Sequence, residues 1–75
     1  MKFYRMERKA TFQLSLETKH EIDEDIFVNM LGMKNKENIP IYQFYGYDTR
    51  LKCYVFINIE LNNKKLPHYI LWERS

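Results

Sequence analysis

Apolar and polar residues alternate from Tyr4 to Leu16. Even positions hold Tyr4, Met6, Ala10, Phe12, Leu14 and Leu16, and the odd ones are mostly polar. A period of two marks a strand with one side buried. Arg8 and Lys9 interrupt it, so the reading predicts a strand bent or bulged there, or two short strands, with the surest stretch over residues 10–16. The period then lengthens. Ile22, Ile26, Phe27, Met30 and Leu31 form one stripe of a helix. Asp23, Glu24 and Asp25 lie at its start, where the helix dipole favours negative charge. Thr18 and Glu21 have capping-box spacing, with Asp23 as an alternative N-cap. Gly32 suits a left-handed residue beyond the last turn. The predicted helix has about ten residues, roughly 15 Å long, and can cover two or three strands.

Three further strand-like runs follow the Asn35–Asn38 loop: Ile39–Tyr47, Leu51–Glu60 and Leu66–Glu73. A two-residue turn at Asn62–Asn63 would pair Cys53 with Trp72, Tyr54 with Leu71, Val55 with Ile70, Phe56 with Tyr69, Ile57 with His68 and Glu60 with Lys65. Pro67 marks the last strand as an edge. The preceding hairpin has two registers open to it. A three-residue loop, Asp48–Arg50, puts Tyr42 and Phe44 beside Phe56 and Tyr54, whereas a two-residue loop puts Ile41 and Tyr45 there. The order is β-α-β-β-β: a single α+β domain over residues 1–75, with one helix packed on one face of a mostly antiparallel four-stranded sheet. The helix is expected on the aliphatic face, over Val55, Ile57, Ile59 and Ile70 together with Phe12, Leu14 and Leu16. The position of the first strand in the sheet stays open.

That assignment gives the aromatic residues their meaning. Six of the chain's twelve aromatics, Tyr42, Phe44, Tyr45, Tyr47, Tyr54 and Phe56, fall within fifteen positions of the predicted hairpin. One short helix covers one face of a sheet, so the opposite face, with Tyr54, Phe56, Tyr69 and Leu71, is expected to stay open as a contact surface. A chain of 75 residues buries only about 60–65% of the surface its unfolded form exposes.

Composition narrows the chemistry. The single cysteine, Cys53, cannot form an internal disulfide and points to a reducing, cytoplasmic setting. Charges at Lys2, Arg5, Glu7, Arg8 and Lys9 break up any leader-like apolar run, and the longest uncharged runs are far too short to cross a membrane. Residues 17–25 hold Glu17, Glu21, Asp23, Glu24 and Asp25 against Lys19, a local charge of −4; with a total of +2, the rest of the chain carries +6. Neither value suits a polybasic arm or an acidic nucleic-acid mimic. Phe, Tyr, Met, Ile, Asn and Lys, whose codons are AT-rich, dominate the sequence, as in a phage, plasmid or low-GC bacterial gene.

Catalytic groups are hard to assemble. Gly32 and Gly46, the two glycines, cannot cradle a phosphate. Cys53 faces inward in the predicted register, so pairing with His20 or His68 as nucleophile and base is disfavoured. The histidines and the cysteine lack metal-ligand spacing, and a helix fans the carboxylates of Asp23–Asp25 apart. The expectation is therefore no enzyme activity, no cofactor, no metal and no small-molecule substrate.

Residues Lys52-Cys53-Tyr54-Val55-Phe56-Ile57-Asn58-Ile59 resemble the central-strand signature of the RNA-recognition motif, with Cys53 where that signature has glycine and Ile59 where it has an aromatic. The resemblance covers eight residues and implies that Tyr54 and Phe56 stack on the bases of a single strand, with Lys52 or Arg50 near phosphate. The same surface also has the composition of a protein contact. The reading settles on a binding protein acting by protein–protein recognition, either of a host target or of a second copy through the sheet face. A phage- or plasmid-type inhibitor or adaptor of a host machine would fit. Single-stranded nucleic acid is the alternative. Tyr54, Phe56, Tyr69 and Leu71, joined by Tyr42 or Tyr45 according to register, form the contact surface, and Arg50 and Lys52 form its basic rim.

Overall fold

A computed structural model describes residues 1–7, 19–60 and 65–74. Within them the chain forms β1 (Lys2–Met6), β2 (His20–Ile22), α1 (Glu24–Leu31), β3 (Tyr42–Asp48), β4 (Cys53–Asn58) and β5 (Tyr69–Glu73). One helix packs on an antiparallel sheet in the order β2-β1-β5-β4-β3, so the α+β architecture stands, with five strands among the described residues. The strand expected over residues 10–16, the Thr18 cap and the Asn62–Asn63 turn lie outside the described residues.

The stripe of apolar residues beyond Asp23 does wind into a helix. Its N-cap is Asp23, whose extended backbone (φ −72°, ψ 152°) turns its carbonyl onto the Phe27 amide at 3.1 Å while its side chain makes no capping bond. Gly32 differs from expectation. Its φ of −86° is right-handed, and its amide still donates to Val28 O at 3.1 Å, so the helix ends by simple continuation. Only one residue of the stripe is buried. Phe27 lies 4.8 Å from the Phe3 ring and 6.0 Å from Phe56, whereas Ile26 and Leu31 are exposed. Eight residues make a rod of about 12 Å, which reaches β1 and the centre of the sheet but no farther.

The β4–β5 register is one residue away from the turn-based expectation. Cys53 lies opposite Glu73, Tyr54 opposite Trp72, Val55 opposite Leu71, Phe56 opposite Ile70 and Ile57 opposite Tyr69. Buried polar groups decide it. The Tyr42 hydroxyl donates to Pro67 O at 2.6 Å, and Asn58 Nδ2 reaches the same carbonyl at 3.4 Å. Asn58 Oδ1 accepts the Glu60 amide at 2.7 Å, and the Asn58 amide donates to His68 O at 2.8 Å. A buried amide or phenol without partners costs about 1–3 kcal/mol. That exceeds what an exposed Glu60–Lys65 pair or a turn preference returns. Pro67 precedes β5 rather than opening it, so its missing amide costs the ladder nothing. β5 is accordingly interior, not the edge that Pro67 suggested; among the described residues the edges are β2 and β3.

The slip redistributes the faces. Cys53, Val55 and Leu71 point to one side and form a buried cluster with Tyr4, Met6 and Leu51. Phe3, Phe27, Ile41, Tyr42 and Ile70 form a second cluster under the helix, with Phe56 and Trp72 half-buried against it. The helix therefore covers the face holding Phe56, not the aliphatic one. Both faces of the sheet carry a closed core, and the wholly open aromatic face expected opposite the helix is not there.

Candidate functional site

What stays open is narrower and is built on β3. Its pairing with β4 follows Tyr42↔Asn58, Gln43↔Ile57 and Phe44↔Phe56, then shifts by one, so that Gly46 meets Val55, Tyr47 meets Tyr54 and Asp48 meets Cys53. Phe44 and Tyr47 are three residues apart and would face opposite ways in a regular strand. The bulge at Tyr45–Gly46 turns both onto the side of Phe56 and Tyr54. Gly46 makes it feasible, with φ +156°, a region that side-chain-bearing residues avoid. An added Cβ would meet no heavy atom within 4 Å. Gly46→Ala is therefore expected to cost about 1–2 kcal/mol through backbone strain alone. Denaturant midpoints compared with the parent protein check this value, and no loss would mean the bulge does not depend on glycine.

The adjoining turn is neither of the two lengths expected. Four residues, Thr49–Lys52, connect Asp48 to Cys53. Asp48 Oδ1 accepts the Arg50 amide at 2.9 Å and the Leu51 amide at 3.0 Å, and Lys52 closes the loop in the left-handed region with φ 56°. Neither open register is found: Tyr42 and Phe44 do share the face of Phe56 and Tyr54, as the three-residue loop implied, but they lie opposite Asn58 and Phe56, beyond a bulge.

The resulting strip of rings is continuous. Phe44 lies 5.6 Å from Phe56 and 6.4 Å from Tyr54; Tyr47 packs edge-on to Tyr54 at 4.9 Å; Tyr54 tilts over Trp72 at 5.3 Å. Trp72 Nε1 lies 3.2 Å from the sulfur of Met1, which is itself exposed. Phe44, Tyr45 and Tyr47 are 61, 66 and 49% exposed. The helix stops short of this half of the sheet, which leaves the rings open.

The residues expected at the contact surface divide. Tyr54 is half-buried within the strip, Tyr45 stands out from the bulge, and Arg50 and Lys52 are exposed on the turn. Phe56 is half-buried beneath Phe27. Tyr69 is half-buried on the other face beside the Cys53 cluster. Leu71 is fully enclosed there, and Tyr42 is sealed at 2% exposure, so these two serve the core. Phe44 and Tyr47 stand among the aromatics clustered in the sequence, and one expected register put Phe44 on this face, but the expected pairing of β5 did not place Trp72 here. For Tyr47, a lone glycine in an aromatic strand was the available signal, since it marks a bulge.

The Cys53 thiol is fully buried and donates to Leu51 O at 3.2 Å, and burial pushes it above its usual pKa, the reverse of an activated nucleophile. Among the described residues no three His, Cys, Asp or Glu side chains gather as metal ligands would, and no helix is long and apolar enough to cross a membrane.

Lys52 precedes Cys53 and Arg74 follows Glu73; because Cys53 pairs with Glu73, both cations lie at one end of the β4–β5 pair, next to the Arg50 turn. A shallow opening lined by Met1, Lys2, Phe3, Glu21, Asp23 and Glu24 lies where β1 and β2 meet the start of α1. No family model, curated protein or solved structure matches the chain.

Proposed function

We propose that the chain is a non-enzymatic protein-binding module that recognises its partner through Phe44, Tyr45, Tyr47, Tyr54 and Trp72. The observation that carries this reading is the exposure of Phe44, Tyr45 and Tyr47, at 61, 66 and 49%, on one edge strand with no charged residue between Tyr42 and Tyr47. Aromatic residues dominate the hot spots of protein interfaces. Rings already packed on each other lose little side-chain entropy on binding. Arg50 and Lys52 supply a basic rim. Base stacking needs free ring faces, and here Tyr47, Tyr54 and Trp72 occupy one another while Phe56 sits under Phe27, which disfavours the nucleic-acid alternative. A module of this size acting by contact alone suits an inhibitor or adaptor of a larger machine, in the cytoplasm, and its AT-rich codon usage suits a phage or plasmid gene.

A photo-crosslinking residue at position 47 tests the reading in the cell of origin. It is expected to trap a protein that the same residue at Lys36 does not trap. Phe44→Ser with Tyr47→Ser should weaken capture by roughly 30-fold or more, the effect of losing a hot spot. Trapping of nucleic acid alone at position 47, with retention of single-stranded oligonucleotides that falls steeply with salt, would overturn it.

A further inference from the structure

The open rings follow the register of the sheet, and the next step along the strands is basic. Trp72 stands opposite Tyr54 and Tyr54 opposite Tyr47, so the three form one cross-strand row. One step past the last β4–β5 pair, Cys53 with Glu73, Arg74 comes opposite Lys52, and both are exposed. Arg74 follows Trp72 by two residues, which places it on the same side of the sheet, about 7 Å along the strand. Lys52 stands beside it at the corner where the turn enters β4. Like charges set opposite each other in a sheet repel. No carboxylate of the described residues pairs with either one. Glu73 shares the other side of the sheet with Tyr4, where Lys19 holds it at 3.7 Å and Tyr4 Oη lies 3.5 Å away. Asp48 Oδ1 is taken up by the Arg50 and Leu51 amides. Asp23 and Glu24 belong to the start of α1, beyond β1, with Lys2 in their own opening.

We infer that the partner bound by the strip is an acidic protein segment: an apolar or aromatic anchor that packs on Tyr47, Tyr54 and Trp72, with carboxylates to one side of it, against Lys52 and Arg74. The inference rests on the protein-recognition reading above and supplies the partner's chemistry. The spacing between rings and cations sets the segment's pattern. Two residues of an extended chain span the same ~7 Å that separates Trp72 from Arg74. Three or four residues cover about as much along one face of a helix. A carboxylate two to four positions from the anchor therefore meets the cations while the anchor meets the rings. Carboxylate also suits the Arg74 guanidinium, which can grip both of its oxygens at once. Phosphate would meet the same cations, but the rings are already packed on one another, which favours a side-chain anchor over a stacked base. The cations are exposed and salt-screened, so they choose the partner and speed its encounter, while the rings supply most of the affinity.

Selection from a display library of random short peptides, with the intact chain as bait, reads the partner's chemistry. Enriched peptides are expected to carry an aromatic or large aliphatic residue with Asp or Glu two to four positions away. A synthetic copy of the best of them should bind with a dissociation constant that rises several-fold between low and roughly 0.5 M salt. Tyr47→Ser should abolish that binding. The decisive arm is a charge reversal. Lys52→Glu with Arg74→Glu, both outside the core, should stay folded by circular dichroism, weaken the peptide about 10-fold or more, and select basic peptides in place of acidic ones. Peptides that need Tyr47 but show no acidic bias, or that bind the reversed variant equally well, would overturn the acidic partner and spare the recognition reading. So would a parent chain that sediments as a dimer through Tyr47, since a second copy would then be the occupant. A single-stranded oligonucleotide bound more tightly than the best peptide would overturn both. A selection that enriches nothing dependent on Tyr47 would do the same.

Discussion

Replacing Leu71 by alanine is expected to destabilise the protein by about 3 kcal/mol, the cost of a cavity where a fully buried leucine stood. A 75-residue domain holds only about 4–11 kcal/mol in all. The melting temperature should therefore fall by roughly 12–24 °C. Phe44→Ser, at the 61% exposed ring, should cost about 1 kcal/mol or less, mostly the lost edge contacts with Phe56 and Tyr54. The pair separates core from surface on one sheet. If both substitutions lowered the melting temperature equally, the open strip would be part of the core. If Leu71→Ala left stability unchanged while abolishing partner capture, Leu71 would belong to the contact surface after all. Leu71 sits opposite Val55, beside Met6 and Cys53, and a cavity there has rigid strand neighbours on both sides, so little collapse is available to relieve it.

Stability is also expected to fall as pH rises from about 10 to 12. Burial raises the Tyr42 phenol from 10.0 to about 12; Asn58 pulls the other way and the charge of Glu7 adds to the rise. The folded chain holds the neutral phenol more firmly than the unfolded one does. Its contribution is fully present below the unfolded value of 10 and is lost as pH climbs through 12. Two units correspond to on the order of 2–3 kcal/mol. Burial also raises Tyr4, with the carboxylate of Glu73 adding, and Cys53, so all three groups act in one direction. Denaturant midpoints at pH 8, 10 and 12 should decline across the upper interval. In Tyr42→Phe the decline should flatten, although that variant begins about 1 kcal/mol weaker at pH 8 for want of its bond to Pro67 O. A parent midpoint that stayed level from pH 10 to 12 would show that this phenol is not sealed as described.

Both expectations trace to a single interior choice that local pattern did not reveal. The alternation of apolar residues identified β4 and β5 as strands, and a turn at Asn62–Asn63 implied a pairing one residue away from the one found. Turn preferences and a surface ion pair are worth tenths of a kcal/mol to about one. Leaving Tyr42 Oη and the Asn58 amide buried without the Pro67 carbonyl would cost more. The identity of that acceptor is invisible along the chain, because Tyr42 and Pro67 stand 25 positions apart. The same slip moved Leu71 from the expected contact surface into the core and brought Trp72 across from Tyr54 into the open strip. Gly46 repeats the lesson on a smaller scale. A glycine between two tyrosines was legible as a weak point in a strand, but only the pairing with β4 makes it a bulge that turns Tyr47 to the side of Phe44.

Composition and periodicity were enough to establish one helix on an antiparallel sheet, a concentration of aromatic rings on the β3–β4 hairpin and an acidic start to the helix, because each of these depends on residues a few positions apart. Which rings face outward, which strand lies at the edge and which charges flank the strip depended on pairings between distant segments. A shift of one residue there reverses every side chain, and the bonds that fix it are buried ones, formed only once the chain has closed around them.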